Sequence, residues 1–116
     1  MVHFDIRADN MLLSDDKVWI LDWSNVCTGA GWLDVILFAP SVGMQAGPNP
    51  ESLIQMHPTC HKADPDDITA AVVSMTGFFM YKAHLPPPPG LPNLPEFFKA
   101  QGIVARDWLR ERTGWA

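Results

Sequence analysis

The chain has 116 residues, 47% hydrophobic content and a formal net charge of -5, with only two cysteines, Cys27 and Cys60. That length suits one modest domain with a buried core, and the acidic balance speaks against a nucleic-acid or anionic-membrane partner. No export signal, disulfide framework or stretch of roughly 20 apolar residues is present, so a cytoplasmic, non-membrane protein is expected.

At the start, His3-Phe4-Asp5-Ile6-Arg7-Ala8-Asp9-Asn10 has the pattern H-x-D-x-x-x-x-N. Phosphoryl transfer asks little covalent chemistry of a protein and much positioning, so a carboxylate to orient a hydroxyl and two oxygen ligands for magnesium carry most of it. Asp5 is the candidate catalytic base. Asn10 is one candidate metal ligand. Met1 and Val2 stand directly before this loop, which is therefore expected to begin without an element to anchor it, as in a fragment or a chain whose start lies further upstream.

The residues Asn10 to Leu13 and Lys17 to Leu21 read as two short strands around a Ser14-Asp15-Asp16 turn. An antiparallel hairpin would place Asn10 beside the far end of the second strand, where Asp22 supplies the other candidate metal ligand. His3 is expected to brace the backbone rather than move a proton. Arg7 suits either a phosphate or substrate contact or a pairing with a carboxylate.

Trp32 to Ala39 reads as a buried helix closed before Pro40. Asp34 interrupts its apolar run and is expected to cap backbone amides of the catalytic loop, since a carboxylate there needs hydrogen bonds. A short helix over 51–57 stops at Pro58. His57, Cys60 and His61 have residue types suited to zinc, yet without a convincing fourth ligand they read as ordinary loop residues.

Asp64, Pro65 and Asp67 form a helix-start signal, and Ile68, Val72, Met75 and Phe79, joined by Ala71 and Phe78, follow at helical spacing. Pro86 to Pro89 make an extended connector. The last helix is expected to open with an Asn93/Glu96 capping box, to bury Phe97, Ala100, Val104 and Trp108, and to stop at Gly114. Trp19, Trp23, Trp32, Trp108 and Trp115 are expected to pack in the core.

At the loop and at Ile20-Leu21-Asp22-Trp23, the chain resembles the aminoglycoside phosphotransferase family, whose fold is that of the protein kinases. The resemblance spans most of the chain. It implies an α+β, mainly α fold, the C-terminal lobe of a kinase-like enzyme with one small β-hairpin after the catalytic loop. Residues 1–116 would form the catalytic-loop and substrate lobe. By resemblance Asp5 is the base, Asn10 and Asp22 bind magnesium, and Asp34, in Gly31-Trp32-Leu33-Asp34, braces the loop.

The implied activity is transfer of the γ-phosphoryl group of ATP to a hydroxyl of a small molecule, such as an aminoglycoside, an amino alcohol or a sugar. Two departures from the family pattern stand out. Phe4 replaces a glycine common in the family. The N-terminal nucleotide-binding lobe is absent, since Lys17 on the hairpin and Lys62 in a loop are not placed like the family's strand lysine. The isolated chain is expected to be inactive unless that lobe is supplied in cis or in trans. The alternative is a non-catalytic binding or regulatory module that keeps the lobe but not the reaction, and a zinc-stabilised scaffold is a third reading.

Overall fold

The computed structural model describes residues 1–115, with two compact units, Met1–Ala63 and the residues from Asp64 onward. The architecture is α+β and mainly helical, with four α-helices and one two-stranded antiparallel sheet among the described residues.

In the first unit, β1 (Met11–Ser14) and β2 (Lys17–Ile20) pair from Met11↔Ile20 to Ser14↔Lys17 around the turn Asp15-Asp16. The hairpin continues one step past the sheet through the Leu21 N–H donating to the Asn10 carbonyl at 2.8 Å. The strands are short and mostly exposed, with Leu13 at 74% and Trp19 at 51%, so side-chain burial is not what sets their register. The turn length and the Leu21 bond set it instead.

Val2 does anchor the loop. It forms an isolated antiparallel bridge with Cys27, its N–H donating to the Cys27 carbonyl at 2.8 Å and its own carbonyl accepting at 2.9 Å. Gly29 makes room for this contact, since a Cβ there would fall 2.9 Å from Val2 Cγ2. The expectation of a loop with nothing before it is thus corrected by a single buried residue.

Helix α1 (Leu33–Met44) runs through Pro40 rather than stopping before it. An interior proline costs about 3 kcal/mol because it removes one intrahelical bond and crowds the preceding turn. Here Ile36, Ala39, Pro40 and Ser41 are all buried, and their burial holds the segment helical despite that cost. Helix α2 (Pro50–Met56) starts at Asn49, whose side chain accepts the Glu51 N–H at 2.8 Å.

In the second unit, α3 (Pro65–Ala83) is capped by Asp64, which accepts the Asp66 N–H at 2.9 Å. Its buried residues are Ile68, Val72, Met75, Thr76 and Phe79, at the expected helical spacing. Phe78 is 51% exposed, a departure from that expectation, because it lies on the flank of the stripe. Pro88 to Leu91 form a turn, with the Leu91 N–H donating to the Pro88 carbonyl and Gly90 at φ 81, the conformation that a proline-glycine type II turn requires.

Helix α4 (Leu94–Thr113) lies antiparallel to α3: Phe98 meets Phe78 and Phe79 near one end, and Arg112 reaches the Pro65 carbonyl and Thr69 hydroxyl near the other. Its buried residues are Gln101, Gly102, Ala105 and Trp108, so the buried stripe sits about one position off the expected Phe97, Ala100, Val104 and Trp108. Gly102 lies in this seam, where a Cβ would stand 2.8 Å from Met80 Sδ and oblige that side chain to shift. Asn93 makes no side-chain cap, so the expected capping box is not formed, whereas Gly114 at φ 70 closes the helix as expected. Of the tryptophans expected in the core, Trp108 is buried, but Trp19, Trp23 and Trp115 are about half exposed.

Candidate functional site

The segment His3 to Asn10 is held from three sides. Asp34, in the first turn of α1, accepts the His3 N–H on Oδ2 at 2.8 Å and the Phe4 N–H on Oδ1 at 2.9 Å. One carboxylate thus satisfies two consecutive loop amides, which are otherwise free of any helix or sheet ladder. This is the capping role read for Asp34 from its place in an apolar run.

His3 is 1% exposed and links the loop to the end of the hairpin. Its Nδ1 accepts the Asp5 N–H at 3.2 Å, so the ring proton sits on Nε2 and is donated to the Leu21 carbonyl at 2.8 Å. Trp23 packs edge-on against the imidazole with ring centroids 4.6 Å apart, and its own indole N–H is tied to the Ile20 carbonyl at 2.8 Å. The ring is a brace with both nitrogens committed to the backbone.

Asn10 is buried, and its side-chain amide nitrogen donates to the Asp5 carbonyl at 2.9 Å and to Asp5 Oδ2 at 3.2 Å. A three-residue 3-10 turn over Ala8–Asn10 sets this up, with Ser41 of α1 accepting the Ala8 N–H at 3.3 Å. Both Asn10 donors face Asp5, and its amide oxygen accepts no hydrogen bond from the described residues. Arg7 Nε lies 3.4 Å from Asp5 Oδ1 and 3.2 Å from Asp9 Oδ1, so of the two roles read for Arg7 the structure displays the pairing with carboxylates.

Asp22 follows directly on Leu21, whose backbone is bonded to Asn10. Its backbone is left-handed, φ 56 and ψ 71, an uncommon conformation for a residue with a side chain. Oδ1 accepts the Ser24 hydroxyl at 2.6 Å and the Ser24 N–H at 3.4 Å. The Ser24 hydroxyl, then the Ser24 N–H, hold the Asp22 carboxyl below the ordinary carboxylate pKa of 3.8. No side-chain hydrogen bond joins Asp22 to Asp5 or Asn10 among the described residues. The backbone brings Asp22 alongside Asn10, while Asp5 and Asn10 are joined directly.

Ser24 and Ser41 were not singled out from sequence. Ser24 had a signal, since Asp followed two residues later by Ser is an Asx-turn pattern. Ser41 had none: only the helix continuing past Pro40 brings it to Ala8.

The His57, Cys60 and His61 segment sends its side chains apart. His57 Nδ1 lies 2.8 Å from the Thr59 hydroxyl, His61 Nε2 lies 2.6 Å from the Gln55 carbonyl, and burial pushes the Cys60 thiol up. Among the described residues, no group of three or more His, Cys, Asp or Glu side chains is placed to hold a metal ion. No described helix is long and apolar enough to cross a membrane.

Comparison with protein-family models, with curated proteins and with solved structures finds no match for this chain.

Proposed function

We propose that this chain is the catalytic-loop lobe of an ATP-dependent small-molecule O-phosphotransferase, kinase-like and of the aminoglycoside phosphotransferase type. The observation that carries the reading is the two-point bond from the Asn10 amide to Asp5, in a loop whose neighbouring amides are capped by Asp34. It supports a role in which Asp5 is held still and its carboxylate aimed by a neighbour rather than left to rotate.

In this mechanism Asp5 orients the acceptor hydroxyl and takes its proton as the oxygen bonds to the γ-phosphorus of ATP and the bond from that phosphorus to the bridging oxygen breaks, releasing ADP. Asn10 and Asp22 are the residues that would hold magnesium. The donor set fits that ion: the Asn10 amide oxygen and Asp22 Oδ2 are hard oxygens without hydrogen bonds from the described residues, and magnesium commonly takes few protein ligands beside phosphate and water. When bound, it supplies charge neutralisation on the phosphates. The His3 brace ties the Asp5 backbone to the strand end before Asp22, so the two carboxylates are positioned through one imidazole.

The partners in this reading are a small-molecule hydroxyl acceptor and a nucleotide-binding lobe, in cis or in trans, that holds the triphosphate. A reducing cytoplasmic setting belongs with it, since Cys27 and Cys60 are both free. The rival reading, a non-catalytic binding or regulatory module, draws on the pairing of Arg7 with Asp5 and of Ser24 with Asp22, which keeps both carboxylates occupied.

Magnesium-dependent ATP binding by the chain, followed by calorimetry and by amide NMR shifts at Asn10 and Asp22, separates the two. Binding that disappears in Asp22→Ala and in Asn10→Ala is the expected result. Acceptor or protein binding that ignores both ATP and magnesium would establish the module instead.

A further inference from the structure

Helix α3 buries one stripe, Ile68, Val72, Met75, Thr76 and Phe79, and its outward face is uncharged as well: from Ile68 to Tyr81 no side chain carries a charge. A helix with one side in water normally carries charge there, as α4 does by exposing Glu96, Lys99, Asp107, Arg110 and Glu111. On α3 it is Val73, Phe78 and Tyr81 that are exposed, by 39%, 51% and 64%. The Ser74 hydroxyl between them donates to the Ala70 carbonyl at 2.9 Å and is spent on the helix itself. Gly77 lies in the middle of this face. Its φ is not positive, and a Cβ there would meet no heavy atom of the described residues within 4 Å. A mid-helix glycine destabilises the helix relative to alanine, and here neither the backbone nor the packing against α4 requires one. Open room of this kind has a use when a second helix comes close.

We infer that the outward face of α3 is a homodimer interface, on which α3 of a second copy of this chain packs antiparallel. Charge selects the occupant. The face opens with Asp66 and Asp67 and closes with Lys82 and His84, so an antiparallel copy brings acid to base at both ends, whereas a parallel copy sets carboxylate against carboxylate. One register serves both ends. With the twofold axis level with Met75, Asp67 comes beside Lys82 of the second copy and Asp66 beside its His84. The same register seats Val73 in the space left open at Gly77 of the second copy and sets the large Tyr81 ring beside its small Ala70. Each copy thus offers the other the same patch, as a twofold interface demands. Such pairing needs no phosphotransferase activity.

Sedimentation equilibrium of the full chain, from about 1 µM to 1 mM, is expected to show monomer and dimer in equilibrium. Val73→Lys puts an unpaired charge in the middle of the interface and should weaken dimerisation about thirtyfold, with circular dichroism unchanged. Gly77→Leu fills the open space with a better helix former, so the thermal midpoint of the dilute monomer should rise while dimerisation weakens, a pair of opposite effects that a role confined to one chain would not produce. Asp67→Lys and Lys82→Asp should each weaken dimerisation, and the two combined should recover it, which marks the antiparallel register. Leu13→Lys, on the exposed hairpin, should leave the equilibrium unchanged. A monomer throughout the range, a dimer indifferent to Val73→Lys and Gly77→Leu, no recovery in the combined charge exchange, or a dimer lost in Leu13→Lys overturns the inference.

Discussion

Asp34 stands 31 residues beyond His3, and its Oδ2 accepts the His3 amide proton at 2.8 Å. The same carboxylate takes the next amide, from Phe4, on its other oxygen. Removing it in Asp34→Ala strips two loop amides of a charged acceptor, and a loss of about 2–4 kcal/mol is expected from the worth of such bonds. Asp34→Asn offers only one acceptor oxygen and should lose roughly half as much. Urea unfolding midpoints, with hydrogen exchange at the His3 and Phe4 amides, check both; equal stability in all three proteins would deny Asp34 this role.

Asn10→Asp tests the pair at the heart of the site. The wild-type amide nitrogen donates to the carbonyl and to the carboxylate of Asp5, and the substitution sets a second carboxylate against both. A cost of about 2–3 kcal/mol at neutral pH is expected, from an unmade buried hydrogen bond and like-charge repulsion. Protonation of the new carboxyl restores a donor, so its pKa in the folded protein is raised. The deficit relative to wild type should therefore shrink as pH falls through that raised value, a trend that urea unfolding from pH 7 to 5 would reveal.

Ser24→Ala addresses Asp22. The serine hydroxyl is the first cause, and its N–H the second, of the lowered Asp22 pKa, so the variant should titrate closer to the ordinary 3.8. A depressed folded pKa contributes stability that is present above the unfolded value and is lost as pH falls through the folded one. Wild type and variant should accordingly differ in how stability changes with pH below about 4, where Asp22 takes up its proton. Carboxyl-carbon NMR titration reads the shift directly, and an unmoved Asp22 titration would show that Ser24 is not its cause.

Gln101 is 0% exposed, and neither its amide nitrogen nor its amide oxygen has a hydrogen-bond partner among the described residues. A buried amide without partners costs about 1–3 kcal/mol, so Gln101→Met, which keeps the length and volume while removing the polar atoms, is expected to stabilise by about that amount. A raised thermal midpoint with unchanged helix content would bear this out; a lowered one would mean that the amide is satisfied in solution.

Much of this molecule was legible locally. The hairpin followed from two short β-prone runs around Asp15-Asp16, α3 from Asp64-Pro65, and the end of α4 from Gly114, because caps and turns are decided by residues within one helical turn or one strand pairing. The roles of Asp34 and His3 were legible too, since a carboxylate in an apolar helix and an imidazole in a loop both demand hydrogen-bond partners.

The amino-acid order by itself determined the hairpin, the start of α3 and the end of α4, and it singled out Asp5, Asn10 and Asp22 as candidates. Tertiary structure alone decided the rest: that α1 continues through Pro40 and brings Ser41 to the loop, that Val2 is held by Cys27, that the buried stripe of α4 runs through Gln101, Gly102, Ala105 and Trp108, and that Phe4 and Asp22 take left-handed backbones. Each of these depends on atoms brought close from far along the chain. Burial and close approach act between such atoms with no regard for sequence distance, so no local pattern records them.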